Sequence, residues 1–312
     1  MSFCSDIKNN LCHITLNNLY EKECELYGYL HCISSLSLKG RGKLNLIFET
    51  ENPSVARRIF ALIKDVFSIN IEIAAKKNNL RKGHFLYNLI VMDSADSMNI
   101  LDYFNIIDFS AGFEINNTIK EDILPTISEI RHYLRGVFLS SGYVSDPKKK
   151  GYQIEFVFNK FEYAKNLIDL LKNIDINLKY VKRKEQYVIY TKDSSTITEI
   201  LGNIGAHNAV LEIESTKVIK EMRNNVNRRL NCETANMDKT VNTALKQINA
   251  INKISDRYGM DYLDEPILTL AKMRLNNPDA SLNELSGMFD PPISRSTINN
   301  WFKKILKIAD SI

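Results

Sequence analysis

Apolar positions along the chain switch between helical and strand spacing in a fixed order. In the stretch 129–158, Ile130, Tyr133, Leu134, Val137 and Phe138 fall at i, i+3, i+4, i+7 and i+8, which gathers them on one helical face. Gly136 and Ser140 lie four apart on the adjacent stripe, where a second helix could approach more closely than bulky side chains allow. Gly142 ends the helical pattern and Asp146-Pro147 turns the chain. Tyr152, Ile154, Phe156 and Phe158 then alternate with Gln153, Glu155 and Val157, the period of a strand with one buried face.

The same order occurs about a hundred residues earlier. In ELYGYLHCISSLSLKGRGKLNLIF (25–48), Gly28 and Cys32 take the places of Gly136 and Ser140, and Leu44, Leu46 and Phe48 alternate in the following strand. Each copy continues into an amphipathic helix, one opened by Asn52-Pro53 and one from Lys160, and then into short β-rich runs. The pattern predicts an internal duplication of α+β halves, each of αββαββα type and related by a pseudo-twofold axis.

From Ser215 to Ser255 the pattern is helical and mostly polar, and reads as two segments with a boundary at NCETAN (231–236), capped by Thr234 or Asn236. The last part holds three shorter elements. Asp264–Leu275 predicts a helix ended by Asn276-Asn277-Pro278, and Ser281 with Glu284 forms a capping box before LNELSGMF. Pro291 and Pro292 force a turn. In the final helix Ile298, Phe302, Ile305 and Leu306 share a buried face with Trp301 at its edge. Ser296, Asn299, Asn300, Lys303 and Lys307 share another, bordered by Arg295 and Lys304, and no acid occurs between Asp290 and Asp310. This is the pattern of a helix-turn-helix whose last helix offers groups suited to base edges first and to phosphates further along.

Two resemblances rest on these words. The duplicated pattern resembles the LAGLIDADG homing-endonuclease fold, in which two such helices pack beneath a saddle of two antiparallel sheets. The succession RGVFLSSGYVSDP, IGAHNAVLEIE, NRRLNCETANMDKTVNTALKQI and DPPIS resembles the bacterial WhiA family over nearly the whole chain; the C-terminal segment also looks like the DNA-binding region of bacterial sigma factors. The WhiA resemblance implies a DNA-binding transcriptional regulator linked to cell division, chromosome segregation or sporulation. The nuclease resemblance implies a metal-holding carboxylate at the end of each paired helix, but those positions fall on Ile33 and Ser141. Asp146 lies beyond the helix end without a counterpart in the first copy. The expectation is therefore no catalytic residue, no metal and no cofactor, with a metal-dependent endonuclease and a protein-interaction scaffold as rival readings.

The expected organisation is a duplicated LAGLIDADG-like domain at 1–214 (halves about 20–115 and 125–214), a helical linker at 215–257 and an all-α helix-turn-helix domain at 258–312. Composition adds restraint. The chain has 312 residues, 44% of them hydrophobic and 25% charged, with a net charge of +4. So small an excess requires any phosphate-binding charge to be concentrated locally. Double-stranded DNA is the expected partner, with transcription machinery or another regulator as a second class, and no membrane. Arg295, Ser296, Thr297, Asn299, Asn300, Lys303, Lys304 and Lys307 are the expected DNA contacts, with Arg41, Lys43, Arg223, Arg228 and Arg229 as secondary ones. The saddle is a weaker candidate, since it would carry Lys43, Asn45 and Ile47 from one half but Gln153, Glu155 and Val157 from the other.

The five cysteines, an odd number on a chain without a signal-peptide pattern, point to a reduced cytoplasm, and the DNA binding that the resemblance implies adds the expectation of a nucleoid-associated location. Cys4, Cys12, Cys24 and Cys32, with His13 and His31, lack paired zinc spacing and read as small buried hydrophobes. His207 has no evident nucleophile partner and reads as structural, Ala206 and Asn208 as packing and turn residues.

Overall fold

A computed structural model describes residues 2–40, 43–77, 85–108, 114–116, 118–119 and 123–312. The chain forms two compact units, Met1–Val218 and Ile219–Ile312. Among the described residues no helix is long and apolar enough to cross a membrane.

The first unit opens with α1 (Phe3–Leu11), which the sequence pattern did not reveal. Its first half then runs α2 (Leu19–Ile33), β1 (Ser34–Gly40), β2 (Lys43–Thr50), α3 (Pro53–Phe67), β3 (Ile71–Lys77), β4 (Phe85–Val91) and α4 (Ser94–Tyr103). After the short pair β5 (Ile107–Asp108) and β6 (Glu114–Ile115), the second half repeats it. It runs α5 (Ile127–Ser141), β7 (Gly142–Val144), β8 (Ile154–Phe158), α6 (Phe161–Lys172), β9 (Lys179–Arg183), β10 (Gln186–Thr191) and α7 (Ser194–Asn203). The two antiparallel sheets have equivalent orders, β1-β2-β4-β3 and β7-β8-β10-β9. Even the N-caps correspond: the Asn18 side chain accepts from Glu21 N–H, and the Thr126 side chain from Ser128 N–H.

The paired helices meet where the glycines allow it. A Cβ on Gly28 would collide with the Tyr133 carbonyl oxygen, and one on Gly136 with the Glu25 carbonyl oxygen. Backbone-to-backbone packing of α2 on α5 therefore leaves no room for any side chain at either point. Leu44, Leu46 and Phe48 of β2, and Ile154, Phe156 and Phe158 of β8, are buried against the helices as their alternation predicts.

Beside the helix crossing lies a buried charge network. The Glu25 carboxylate is inaccessible to solvent and receives Arg58 Nε at 2.5 Å and Arg58 Nη2 at 2.7 Å, with Arg135 Nη1 at 3.6 Å. Arg58 also donates to the Cys12 and Ile14 carbonyls, and Arg135 Nε to the Ile204 carbonyl at 2.7 Å. Burial opposes the Arg58 charge, but the hydrogen bonds and attraction of Glu25 outweigh it and raise its pKa; Arg135 is pulled downward by burial, with Glu25 opposing. One carboxylate thus ties α2, α3, α5, the segment after α1 and the end of α7 together.

Three expectations need correction. Asn45 is buried although it lies on the saddle side of β2, with Met92 Sδ 3.9 Å from its amide nitrogen. NCETAN is no helix boundary: α8 (His207–Tyr258) runs through it without a break. Its side chains make helical-spacing contacts instead, Asn236 Nδ2 to Cys232 Sγ and Thr240 Oγ1 to the Asn236 carbonyl. Asn208, expected in a turn, lies exposed in the first turn of α8, which His207 opens; Ala206 before it is buried.

The second unit has its own core. Ile251 and Ile254 of α8 pack with Leu270 of α9 (Ile267–Asn276), Leu285 of α10 (Leu282–Gly287), and Ile298, Phe302 and Ile305 of α11 (Arg295–Asp310). The capping box at α10 is formed, and acceptance of the Ser281 N–H holds the Glu284 carboxyl below its usual range. Helix α9 starts later than the pattern suggested because Pro266 stands immediately before it.

Candidate nucleic-acid interface

Helix α11 is positioned from its buried face. Ile298, Phe302, Ile305 and Ala309 are buried, Leu306 and Trp301 half-buried, and Phe289 meets the Trp301 ring at 5.7 Å. The turn before it, held open by Pro291 and Pro292, is pinned by the Ile293 N–H donating to the Ser286 carbonyl at 3.2 Å. Ser294 caps α11, its hydroxyl oxygen accepting from Thr297 N–H at 3.2 Å.

A residue with no distinguishing signal in the sequence fixes the earlier turn. Arg274 is 2% exposed; its Nη1 donates to the Ala280 carbonyl at 2.6 Å and the Pro278 carbonyl at 3.3 Å, and its guanidinium lies over the Phe302 ring at 5.4 Å. A cation in a polar segment reads as solvated by default. Here it satisfies carbonyls that the turn after α9 leaves without partners, and burial lowers its pKa.

On the outer face, Arg295, Ser296, Asn299, Asn300, Lys303, Lys304 and Lys307 are all exposed. Thr297 is half-buried and its hydroxyl lies 2.8 Å from Ser294 Oγ, so it belongs to the cap more than to the face. The two asparagines and Arg295 occupy the first half of the helix and the lysines follow. Such a face can offer bidentate donors to base edges and point charges to phosphates.

The secondary candidates are dispersed. Lys43 is exposed at the start of β2, and Arg223, Arg228 and Arg229 are exposed on α8, with Arg229 Nε 3.0 Å from Glu233 Oε1. Arg41 lies outside the described residues, as does 78–82 of the basic run that begins at Lys76.

The face of the two sheets turned away from the helices has mixed charge. By strand register it presents Glu49, Glu72 and Glu155 among Lys43, Lys76, Lys179 and Arg183. Arg183 is bound to Glu155 at 2.8 Å, which also accepts from Gln153. Glu155 thus consumes one of the nearby cations, whereas along α11 no carboxylate occurs before Asp310 in its last turn.

At the paired helix ends, α2 finishes with Ile33 and α5 with Ser141, whose hydroxyl donates to the Val137 carbonyl at 3.2 Å and to Cys32 Sγ at 3.5 Å. Neither side chain supplies the carboxylate that a hard divalent cation would take there, and the Ser141 hydroxyl is engaged within the protein. Asp146 serves its own turn, accepting from Lys148 N–H at 2.9 Å. Cys4 and Cys24 are buried, their thiols directed at the Gly142 and Ile123 carbonyls. Among the described residues no group of three or more His, Cys, Asp or Glu could hold a metal ion.

Comparison with known proteins gives a consistent picture. Residues 20–107 match the model of the WhiA N-terminal LAGLIDADG-like domain, 130–223 that of the WhiA LAGLIDADG-like domain, and 226–309 that of the WhiA C-terminal HTH domain. The "Probable cell division protein WhiA" of Thermoanaerobacter sp. (strain X514) is 41% identical over 313 residues, covering 100% of this chain and 98% of the relative. Its namesake in Clostridium novyi (strain NT) is 38% identical with the same coverage. The crystal structure of full-length WhiA from Thermatoga maritima shares the fold, with a TM-score of 0.61 at 24% identity over 100% of this chain and 99% of that one.

Proposed function

The chain belongs to the WhiA family, and from that premise we propose that it is a sequence-specific, non-enzymatic regulator that reads double-stranded DNA with α11. Control of cell division, chromosome segregation or sporulation is the setting that the relatives' names and the family resemblance suggest. The observation that carries the reading is the exposed face of α11 from Arg295 to Lys307, which carries no acid and is set on a buried apolar face.

In this reading α11 enters the major groove with its N-terminal half. Arg295 forks onto a guanine, or Asn299 or Asn300 onto an adenine; Ser296 adds a hydroxyl, and the capped helix start favours a nearby phosphate. Lys303, Lys304 and Lys307 hold backbone phosphates, with Lys43, Arg223, Arg228 and Arg229 as secondary contacts. The duplicated unit acts as a scaffold, or recruits transcription machinery or another regulator, and does not cut DNA. The donor set at its helix ends, an isoleucine and an internally bonded serine, supports that reading.

The test is fluorescence anisotropy of the full chain on genomic and random duplexes across a salt series with magnesium, with the products run on a gel. Arg295→Ala should cost about 1–3 kcal/mol on the specific site and little on random DNA. Lys303→Ala should weaken both alike and flatten the log–log salt slope by about one. Equal losses on both duplexes for Arg295→Ala would refute base reading by that residue, and cut DNA would refute the scaffold assignment.

A further inference from the structure

Within the second unit, α8 carries a stripe that nothing in the unit covers. Ile219, Met222, Val226, Leu230, Met237, Val241 and Leu245 are 50–68% exposed, and every residue from Glu221 to Thr243 is exposed. At 3.6 residues per turn these side chains fall along one face, and half-buried Ile248 continues it. Six asparagines (Asn224, Asn225, Asn227, Asn231, Asn236 and Asn242) make this stretch a weak helix former. An isolated helix of such composition is marginal in water, so packing along the stripe must supply what propensity does not.

The order of residues says what fits. About the point between Glu233 and Thr234 the stripe reads the same in both directions: Leu230 mirrors Met237, Val226 mirrors Val241, Met222 mirrors Leu245 and Ile219 mirrors Ile248. We propose that α8 pairs with α8 of a second copy, antiparallel and centred on Glu233-Thr234, each layer setting one of these residues against its mirror in the partner.

Two further features select this arrangement over a parallel pair. Arg223 lies beside the stripe, and no acid shares that face between Ile219 and Leu230. A parallel pair would bring the two Arg223 guanidinium groups together at the seam. The antiparallel pair separates them and lays each stem along the partner's Val241 and the partner's Leu245 with its head toward solvent. Glu233 approaches its own copy at the two-fold, where Arg229, already bridged to it, supplies the opposite charge. The spacing from Val226 through Leu230, Met237 and Val241 to Ile248 runs in steps of four and seven, an eleven-residue repeat close to the period of a straight helix, so the seam need not wander. Such a contact is isologous and closes at two copies, which gives each assembly two α11 helices.

The test uses the full chain. Light scattering should give twice 35.8 kDa. Glu233→Cys in a Cys232→Ser background should form an inter-chain disulfide on oxidation. Leu230→Glu should raise the dimer dissociation constant at least tenfold without loss of helical signal, and Met237→Lys added to it should restore the dimer, because the antiparallel layer sets the two new charges against each other. A monomeric wild-type mass would overturn the proposal, whether the stripe is bare or covered by another part of the same chain. So would a dimer insensitive to Leu230→Glu. Failure of the double variant to recover would overturn the antiparallel register.

Discussion

At the scale of single residues, the backbone contact between α2 and α5 depends on two hydrogen atoms. Gly28 and Gly136 each face a carbonyl oxygen of the opposite helix, so Gly136→Ala must push α2 from α5 or deform both. A cost of about 3 kcal/mol is expected, read from urea unfolding. Gly202 lies in α7 with no neighbouring atom within 4 Å of where an added methyl would sit, and there Gly202→Ala should stabilise by up to about 1 kcal/mol. The small residues at i and i+4 made this crossing legible in the sequence. His31 was not: it reads as one more residue in a Cys/His-rich segment. In the fold it is buried among Tyr27, Tyr133 and Tyr163, with Nδ1 3.0 Å from Tyr133 Oη, and burial, aided by Lys160, pushes its pKa down to about 3. Between about pH 6.5 and about 3 the unfolded chain binds a proton there that the folded chain does not, so stability must fall as pH falls through that window. His31→Gln should make the decline between pH 6.5 and 5 shallower by up to about 1.4 kcal/mol per unit, measured by unfolding at each pH.

At the scale of elements, periodicity exposed what packing enforces and missed what packing overrides. The paired helices, the strands after them, the capping box and the break at Pro291-Pro292 each owe their form to local chemistry, and the chain declares them. Helix α1 was hidden because its apolar side chains are few and are buried chiefly by elements distant in sequence. The continuity of α8 was hidden for the opposite reason. Asn231, Thr234 and Asn236 are good caps and poor helix formers, and nothing local says that the helix passes through them. Asn45 shows a third kind of failure: alternation assigns a residue to a face, but neighbours decide whether that face is wet. On α11 the exposed polar face was legible residue by residue; the part of Arg274 in setting the turn beneath it was not, because its partners are backbone carbonyls, which carry no sequence signal.

At the scale of the whole chain, two cores without a shared cluster imply two cooperative units. Unfolding by urea should resolve two transitions, followed by near-UV signal and by the fluorescence of Trp301, the single tryptophan, which reports the second unit. Glu25→Gln should lower only the other transition, by about 3–5 kcal/mol, because it removes the charge that two buried guanidinium groups require. A Glu25→Gln chain whose tryptophan transition moved equally would show that the two cores unfold together.

The Arg58–Glu25–Arg135 network also bears on how such a molecule came to be. Position for position along the paired helices, Glu25 corresponds to Tyr133, and Arg135 to Tyr27. The repeat has kept its backbone and given up its symmetry at the point of closest approach. A first half meeting another first half would set Glu25 against the other copy's Tyr27 with its own Arg58 still paired to it, whereas a second half meeting its like would set Arg135 against Tyr133, a buried guanidinium with no carboxylate. The second half therefore cannot replace the first without burying an unpaired charge: at the crossing it has become complementary to its neighbour and no longer to itself.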